Sequence, residues 1–350
     1  MGDGGLQSRL LVGDDPARVA ARAALADLRR EIRGRFARAP LVARRGALPE
    51  EWDRRFEQLR ERLGTLGMRE RSAAVDDFGM EAEAVRALRP LLDFLFDRYW
   101  RVAVAGIEQL PERGPFLLVA NAAGILPYDA LMIAHAVERA RGERPRFAVA
   151  DWLFTLPFVQ SRLARLGGVR ACPENVERLL AAERSVVVFP EGAKGAAKTY
   201  RDRYRLARFG RGGVVRLAIE HGVPLVPVGV VGAEEAHPIL YKASAPARTL
   251  GLPFVPITPT FPWLGPLGAL PLPAQWVLRF GEPISYTDLG RDAARDALLV
   301  SRLTEELRAR IQSLVAAGLR ARGSVWSLGA GATAAPDHAS AGAPSERTAS

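Results

Sequence analysis

Residues 186–213 read VVVFPEGAKGAAKTYRDRYRLARFGRGG, and this stretch decides the fold class. The three valines favour a β-strand, which must end at Pro190 because proline offers no N–H to a sheet ladder. Gly192 then allows a sharp turn of the backbone. The sequence therefore predicts that Glu191 lies at the carboxyl end of a buried strand, where open α/β sheets bind their ligands.

A basic cluster follows this strand. Its members are Lys194, Lys198, Arg201, Arg203, Arg205, Arg208 and Arg211. Cations beside a strand end suit an anionic ligand, most simply a phosphate. Glycines within residues 210–213 precede an apolar helix, whose first backbone amides could cradle the same anion. We predict that some of Lys194, Arg201, Arg205 and Arg211 bind a phosphate or a lipid head group. The alternative is a solvated arginine-rich surface.

The overall composition points to the same class of partner. The chain has 350 residues and a formal net charge of +10, which favours anionic partners. Tyr200 and Tyr204 alternate with arginines, as in some nucleic-acid binders, but no nucleic-acid-binding motif accompanies them. We therefore expect no nucleic-acid partner. One cysteine and four histidines exclude a disulfide framework and argue against a structural zinc site.

The hydropathy pattern predicts a soluble or peripheral protein. Because the basic charge favours anionic membrane surfaces, we expect a cytoplasmic protein that associates peripherally with them. Residues 1–20 are interrupted by Gly, Asp and Arg and contain no signal-peptide core. No uninterrupted apolar run reaches the roughly 18–20 residues that a membrane span requires.

Strand-like and helix-like segments alternate from residue 101 to about residue 320. This alternation predicts an α/β fold, in which a mixed, mostly parallel sheet is covered by helices. The predicted strands are 101–105, 115–120, 146–150, 185–189, 224–230 and 276–281. The predicted helices are 127–141, 157–166, 174–183, 211–221 and 291–318.

We predict three parts in the chain: a helical N-terminal extension over 1–100, an α/β domain over 101–320, and a disordered tail over 321–350. Apolar residues in the extension recur at spacings of three and four, for example Leu25, Leu28 and Ile32. These stripes could pack against the main domain, touch a membrane or form a dimer. The tail is rich in Ala, Gly, Ser and Pro, which disfavours a packed core.

The segment 251–274, GLPFVPITPTFPWLGPLGALPLPA, is apolar yet interrupted by Pro and Gly. It can form neither a regular helix nor a central strand. Two interpretations stay open. The segment could be a loop buried over the core, or a hydrophobic lip that meets lipid, with Trp263 as an interfacial anchor.

Four separated blocks resemble one known family. They are VANAAGILPYD (119–129), GGVRACPEN (167–175), FPEG (189–192) and GVPLVPVGVVGAEE (222–235). In this order and at these separations they resemble the glycerolipid acyltransferases, the lysophosphatidate acyltransferase-like proteins. The resemblance covers about residues 100–285.

The resemblance implies a reaction and a set of residues. The family transfers a fatty acyl group from acyl-CoA or acyl-carrier protein to a hydroxyl of a lysophospholipid or glycerol phosphate. It uses no metal, no further cofactor and no covalent acyl-enzyme. A histidine removes the hydroxyl proton and a nearby aspartate, matched here by Asp129, orients the imidazole. Glu191 and Gly192 match the acceptor-binding block, and Arg170 matches the basic residue of the preceding block.

The family's histidine is missing from this sequence. Ala122 or Ala123 stands in its place, depending on how the gap before Asp129 is aligned. An alanine methyl cannot accept a proton, and general-base assistance is typically worth about 10²–10⁴ in rate. Three hypotheses stay open: residual or Asp129-assisted acyl transfer, a catalytically silent lipid-binding or regulatory protein, and a base relocated to another residue such as His237.

Overall fold

The computed structural model describes residues 76–124, 126–155, 159–243, 247, 254–265, 268 and 270–322. The predicted extension up to residue 75 and residues 323–350 of the predicted tail lie outside the described residues. Residues 321 and 322, which were predicted to belong to the tail, instead end the last helix (Ala297–Arg322). Within the described part, the predicted α/β architecture is confirmed. A seven-stranded sheet is flanked by helices on both faces.

The strands of the main sheet are β1 (Ala103–Ala105), β2 (Leu117–Ala120), β3 (Arg146–Val149), β4 (Gly168–Arg170), β5 (Val186–Val188), β6 (Leu225–Val231) and β9 (Val277–Phe280). Their spatial order is β1-β9-β6-β2-β5-β3-β4. The five strands from β6 to β4 run parallel to one another. β9 pairs antiparallel with β6 and parallel with β1, so the sheet is mixed and mostly parallel.

All six predicted strands are therefore present in this sheet. The structure adds β4 to it and a separate antiparallel hairpin, made of β7 (Tyr241–Ala243) and β8 (Val255–Ile257). Strand β4 was not predicted because its three residues lie between two helices and carry no apolar run of useful length.

The central strands are buried on both faces, which explains their continuous apolar sequences. In β2, Leu117 and Val119 pack into one core, while Leu118 and Ala120 pack into the other. This two-residue alternation is the ordinary geometry of a strand. Each face therefore needs its own cover of helices.

The helices are α1 (Ala82–Asp93), α2 (Tyr128–Arg141), α3 (Asp151–Thr155), α4 (Val159–Arg165), α5 (Pro173–Ala181), α6 (Gly192–Ala196), α7 (Gly213–His221), α8 (Ala233–Ala236) and α9 (Ala297–Arg322). α1 and α2 cover one face, and α5, α7 and α9 cover the other. α9 approaches β6 so closely at Gly229 that a Cβ there would lie 2.8 Å from the Cβ of Leu314.

The described end of the predicted N-terminal extension packs into the main core. α1 continues into a π-helical turn over Phe94–Tyr99, and Leu92, Phe96 and Trp100 are buried with α2. The Trp100 ring stacks on Trp276 at 4.5 Å. Residues 82–100 thus share a hydrophobic core with the α/β domain, while the boundary placed at residue 100 stays a prediction.

Candidate functional site

Three neighbouring parallel strands bring the segments that follow them together at one edge of the sheet, the edge formed by the carboxyl ends of the strands. β6, β2 and β5 lie side by side, and the chain segments that leave their carboxyl ends begin at Gly232, Asn121 and Phe189. Asn121 joins two of these ends: its side-chain amide donates to the carbonyl of Val230 at 2.9 Å and accepts from the Val230 N–H at 2.7 Å. Asn121 is fully buried. Its two hydrogen bonds hold the loop after β2 against β6.

Asp129 lies in the first turn of α2 with only 5% of its surface exposed. Its Oδ2 accepts the N–H of Ala123 at 2.9 Å, and its Oδ1 accepts the N–H of Ala130 at 2.8 Å. Burial nevertheless raises the pKa of Asp129 to about 7, although the backbone N–H groups and the charge of Lys198 act to lower it. A carboxylate in this state can take up or release a proton near neutral pH.

The two alanines that precede Asp129 have different surroundings. Ala122 lines a cavity of about 80 Å³ together with Gly124, Asp129, Trp152 and Gly192. Ala123 packs instead into the hydrophobic core beside α2. Ala122 is therefore the alanine whose side chain shares a cavity with the Asp129 carboxylate.

Glu191 is buried and acts as an internal clamp. Its Oε1 accepts the N–H of Ala122 at 2.9 Å, and its Oε2 accepts the N–H of Ala207 at 2.6 Å. The carboxylate thus ties the loop after β2 to the basic segment that follows α6. Gly192, which begins α6 with φ +58°, lines the cavity.

Lys198 is the one cation of the basic cluster that the structure draws into this edge, as far as the described ion pairs show. Its Nζ lies 3.4 Å from Oε2 of Glu191 and 2.9 Å from Oε1 of Glu234, and its side chain is 8% exposed. Burial raises the pKa of Glu234, while Lys198 acts to lower it. A buried lysine is stable here because two carboxylates offset the loss of its hydration.

A second buried network fixes the loop that carries the basic residues. The Tyr204 hydroxyl contacts Glu235 and accepts a hydrogen bond from Arg322 Nη1 at 3.0 Å. Gln312 of α9 clamps the same loop, since its Nε2 donates to the Tyr204 carbonyl at 2.9 Å. Gln312 and Arg322 of α9 thus hold the loop that carries Ala207, one of the two hydrogen-bond donors to Glu191. No local sequence pattern predicts this network, because Gln312 and Arg322 lie more than a hundred residues from Tyr204.

The other predicted anion-binding residues lie outside the cavity lining. Arg170, at the end of β4, forms an exposed ion pair with Asp151 at 3.3 Å. Lys194, Arg201, Arg205 and Arg211 are exposed on and after α6. Among the described residues that line the cavity beside Asp129, Gly192 is the one that belongs to the predicted binding set. Binding of a phosphate by the exposed cations stays a prediction.

A larger, apolar cavity of about 220 Å³ adjoins the small one. Val176, Val188, Leu217 and Phe209 line it, and the two cavities share Ala148, Ala171 and Phe189. The glycines before α7 border this larger cavity. Gly212 has a packing reason for its identity, since a Cβ there would lie 2.4 Å from Cγ1 of Val300 in α9.

Neither His135 nor His221 lines the cavity beside Asp129. His135 is buried in α2 and its Nε2 lies 2.9 Å from Oδ1 of Asp93. His221 is the last residue of α7. His237 is nearer to the site: its ring stacks on Tyr128, the neighbour of Asp129, at 5.6 Å and 7°. It also lines a narrow polar cleft with Gly124, Lys198 and Glu234.

Removal of the Glu191 carboxylate is expected to lower the unfolding free energy of the protein. Glu191→Ala leaves two buried N–H groups unpaired and takes one partner from Lys198, which we expect to cost about 3–5 kcal/mol of unfolding free energy. Urea denaturation measures this loss. Glu220→Ala, an exposed change on α7, serves as the control and should stay within about 0.5 kcal/mol of the parent. A loss below about 1 kcal/mol for Glu191→Ala would contradict the clamp.

Comparison with known proteins places this site in a family. The family model named Acyltransferase matches residues 101–231, which include β2, Asp129 and Glu191. An uncharacterised protein of Mycobacterium leprae is 43% identical over 255 residues, 72% of this chain and 70% of that protein. The chain belongs to the acyltransferase family. The family expected from the four sequence blocks is thereby confirmed.

Two further proteins are similar to this chain. An uncharacterised protein of Mycobacterium tuberculosis is 42% identical to this acyltransferase-family chain over 256 residues, 72% of each. Among solved structures, the 1-acyl-sn-glycerophosphate acyltransferase PlsC of Thermotoga maritima is similar at 19% identity and a TM-score of 0.41, over 66% of this chain and 78% of that one.

The described residues contain neither a cluster of metal ligands nor a membrane-spanning helix. No group of three or more His, Cys, Asp or Glu side chains within that part of the chain is arranged to hold a metal ion. No helix in the same residues combines the length and hydrophobicity needed to cross a bilayer.

Proposed function

We propose that this protein transfers a fatty acyl group from acyl-CoA or acyl-carrier protein to a hydroxyl of a lysophospholipid or glycerol phosphate, with Asp129 as the proton acceptor. The observation that carries the proposal is the Asp129 carboxylate, buried beside a cavity with its pKa raised to about 7. In this environment its basicity approaches that of the imidazole expected at this place.

The remaining acceptor capacity of Asp129 supports this role. Each of its oxygens accepts one backbone N–H in the structure, and a carboxylate oxygen has two lone pairs. A hydroxyl in the small cavity can therefore donate to Asp129 without displacing either N–H. The same two N–H groups keep the carboxylate oriented, as a preorganised base requires.

The proposed reaction needs only the two substrates. The acceptor hydroxyl gives its proton to Asp129 while its oxygen forms a bond to the thioester carbonyl carbon. The C–S bond then breaks, and the departing thiolate takes the proton from Asp129. No covalent acyl-enzyme, metal or further cofactor takes part.

The larger cavity supports a fatty acyl chain as the group transferred. It is lined mainly by apolar side chains and meets the small cavity at Ala148, Ala171 and Phe189. A chain bound in it would place its carbonyl at the wall shared with the Asp129 cavity. Burial of each methylene is worth about 0.8 kcal/mol, which offsets the cost of ordering the chain.

The exposed cations support an anionic acceptor at a membrane surface. Lys194, Arg201 and Arg205 are exposed on the segment that follows Glu191, where a phosphate head group bound by them would remain hydrated. Basic residues near an anionic bilayer each contribute about 1 kcal/mol of attraction. Peripheral association with a cytoplasmic membrane face is part of this proposal.

A catalytically silent lipid-binding protein is the second candidate. The observation that favours it is the methyl group of Ala122 on the cavity wall, which presents no proton acceptor. The clamp and both cavities would then serve binding alone. A regulatory role would follow from ligand occupancy rather than turnover.

Release of free thiol separates these functions. Purified protein is offered acyl-CoA or acyl-carrier protein with a panel of lysophospholipids and glycerol phosphate, and thiol release is followed together with lipid product. We expect turnover that requires both substrates. Binding of acyl donor and lysolipid without turnover would favour the silent protein, and failure to bind either ligand would contradict both candidates.

His237→Phe tests the third hypothesis in the same assay. Phenylalanine preserves an aromatic ring against Tyr128 but accepts no proton. If Asp129 is the base, this variant keeps most of the parental turnover. Loss of turnover here, with Asp129→Asn still active, would assign the base to His237 instead.

A further inference from the structure

Two segments that lie far apart in sequence expose a set of large apolar side chains. We call Leu91, Phe94, Trp263, Leu264 and Leu270 the apolar rim. Each is at least half exposed, and Trp263 is 77% exposed. Such a concentration of exposed apolar side chains marks an interaction surface more often than chance.

Contacts in the structure join the two segments. The Phe94 ring lies 6.2 Å from the ring of Tyr99, and the Tyr99 hydroxyl donates to the carbonyl of Pro271 at 2.6 Å. Leu270 precedes that proline. The Thr260 hydroxyl donates to the carbonyl of Gly268 at 3.0 Å, which closes the loop that carries Trp263 and Leu264. The rim residues of α1 and of the turn after it, Leu91 and Phe94, therefore lie next to the loop that carries the other rim residues.

The loop satisfies its own polar groups. The Thr258 N–H donates to the Phe261 carbonyl at 2.9 Å, and the Leu264 N–H donates to the Thr260 carbonyl at 2.8 Å. Phe261 donates in turn to the Thr258 hydroxyl at 2.9 Å. Prolines at 256, 259 and 262 have no N–H to satisfy. Loss of water around this turn therefore leaves few donors unpaired, which is the condition for entering lipid.

Charge indicates which partner the apolar rim fits. Residues 238–276 include Lys242 and Arg248 but contain no Asp or Glu. Lys242 is exposed on β7, at the base of the loop. An apolar, aromatic tip with a cationic base and no acidic residue matches the interface of an anionic bilayer, where tryptophan prefers to lie. A second copy of the chain would instead bring these like charges together.

We propose that the apolar rim docks the protein on anionic membranes by inserting Trp263, Leu264 and Leu270 at the lipid interface. The site would then face its lipid substrates, because the loop is attached to the site at both ends. Ile239 accepts the Tyr200 N–H at 2.8 Å, and Leu272 donates to the carbonyl of Ala236 at 2.8 Å. This docking role deepens the proposed function. It rests on the proposed function only for its purpose, which is to bring the site to its lipid substrates. Of the two interpretations of residues 251–274, this proposal adopts the hydrophobic lip.

Vesicle co-sedimentation of the full chain tests the docking surface. The parent, Trp263→Ser/Leu264→Ser and a control, Leu289→Ser/Leu298→Ser, are mixed with phosphatidylcholine vesicles with and without phosphatidylglycerol. Leu289 and Leu298 are also exposed, but on the side of the sheet covered by α9. We expect the rim variant to lose about tenfold in partition to anionic vesicles and the control to lose none. Lys242→Glu should weaken binding to anionic vesicles about tenfold and leave binding to phosphatidylcholine unchanged.

Each other result overturns the proposal. A parent that does not bind anionic vesicles, or a rim variant that binds as well as the parent, excludes docking by this surface. If the rim variant changes only the oligomeric mass in light scattering, the surface joins two copies of the chain. An assay with a short-chain, water-soluble acyl-CoA and lysolipid separates the docking proposal from the acyl-transfer proposal. The rim variant should retain turnover of these soluble substrates. Vesicle binding that depends on the apolar rim, without any turnover, would refute acyl transfer but not docking.

Discussion

Replacement of Asp129 by Asn is expected to lower kcat/KM for acyl transfer at least about a hundredfold. Asparagine keeps the volume of the side chain but cannot accept the hydroxyl proton, so the loss should reach the range of general-base catalysis. The exposed change Asp292→Asn makes the same chemical substitution away from the site and should have no effect. Unchanged turnover in Asp129→Asn would exclude Asp129 as the proton acceptor.

The pH dependence of the parent provides a second readout of the same residue. Because the ionised carboxylate is the active form, kcat/KM should rise with pH through about 7 and then level off. A phosphodiester acceptor such as lysophosphatidylglycerol is the substrate to use, since it does not titrate in this range. The Asp129→Asn variant should lack this rise.

The same ionisation should also appear in stability. Burial raises the pKa of Asp129 in the folded protein above its unfolded value, so the folded state binds this proton more tightly. Unfolding free energy therefore falls as pH rises between the two pKa values and levels off above about 7. From pH 5.5 to 8 we expect a loss of up to about 2 kcal/mol from this group in urea denaturation. In Asp129→Asn this contribution should be absent.

The fold could be predicted from the sequence where local patterns suffice. β5 was predicted because three valines precede Pro190, and β2 and β6 because parallel strands buried on both faces are continuously apolar. The β7–β8 hairpin was not predicted, because its short strands carry polar or proline residues and pair across a long intervening segment. Pairing between distant segments leaves no local signal.

The candidate site, like the fold, could be predicted from the sequence only where local patterns suffice. Asp129 and Glu191 were identified from their sequence blocks, and both lie buried at neighbouring strand ends. The direction of the Glu191 side chain was not predictable, since it depends on Ala122 and Ala207 N–H groups that only the fold brings together. Lys198 was one of seven similar cations in sequence. The structure distinguishes it by placing Glu234, from the end of another strand, 2.9 Å away.

Replacement of Ala122 by His is expected to raise kcat about a hundredfold above the parent. Ala122 lines the cavity that also borders the Asp129 carboxylate, so a side chain added there can extend into this cavity. An imidazole there could accept the hydroxyl proton while Asp129 orients it, which restores a base and its orienting partner. Single-turnover measurements with saturating acyl donor would separate this gain from any change in binding.

Ala123→His is the matched control. The Ala123 methyl is buried in the core beside α2, so a larger side chain there should cost about 1–3 kcal/mol of stability and give no gain in turnover. The double variant Ala122→His/Asp129→Asn completes the comparison. If the imidazole has become the base, this variant should turn over at least tenfold faster than Asp129→Asn alone. Equal rates would show that the added imidazole does not reach the acceptor hydroxyl. A silent parent that gains turnover only through Ala122→His would instead identify a binding protein that lost its base at this single position.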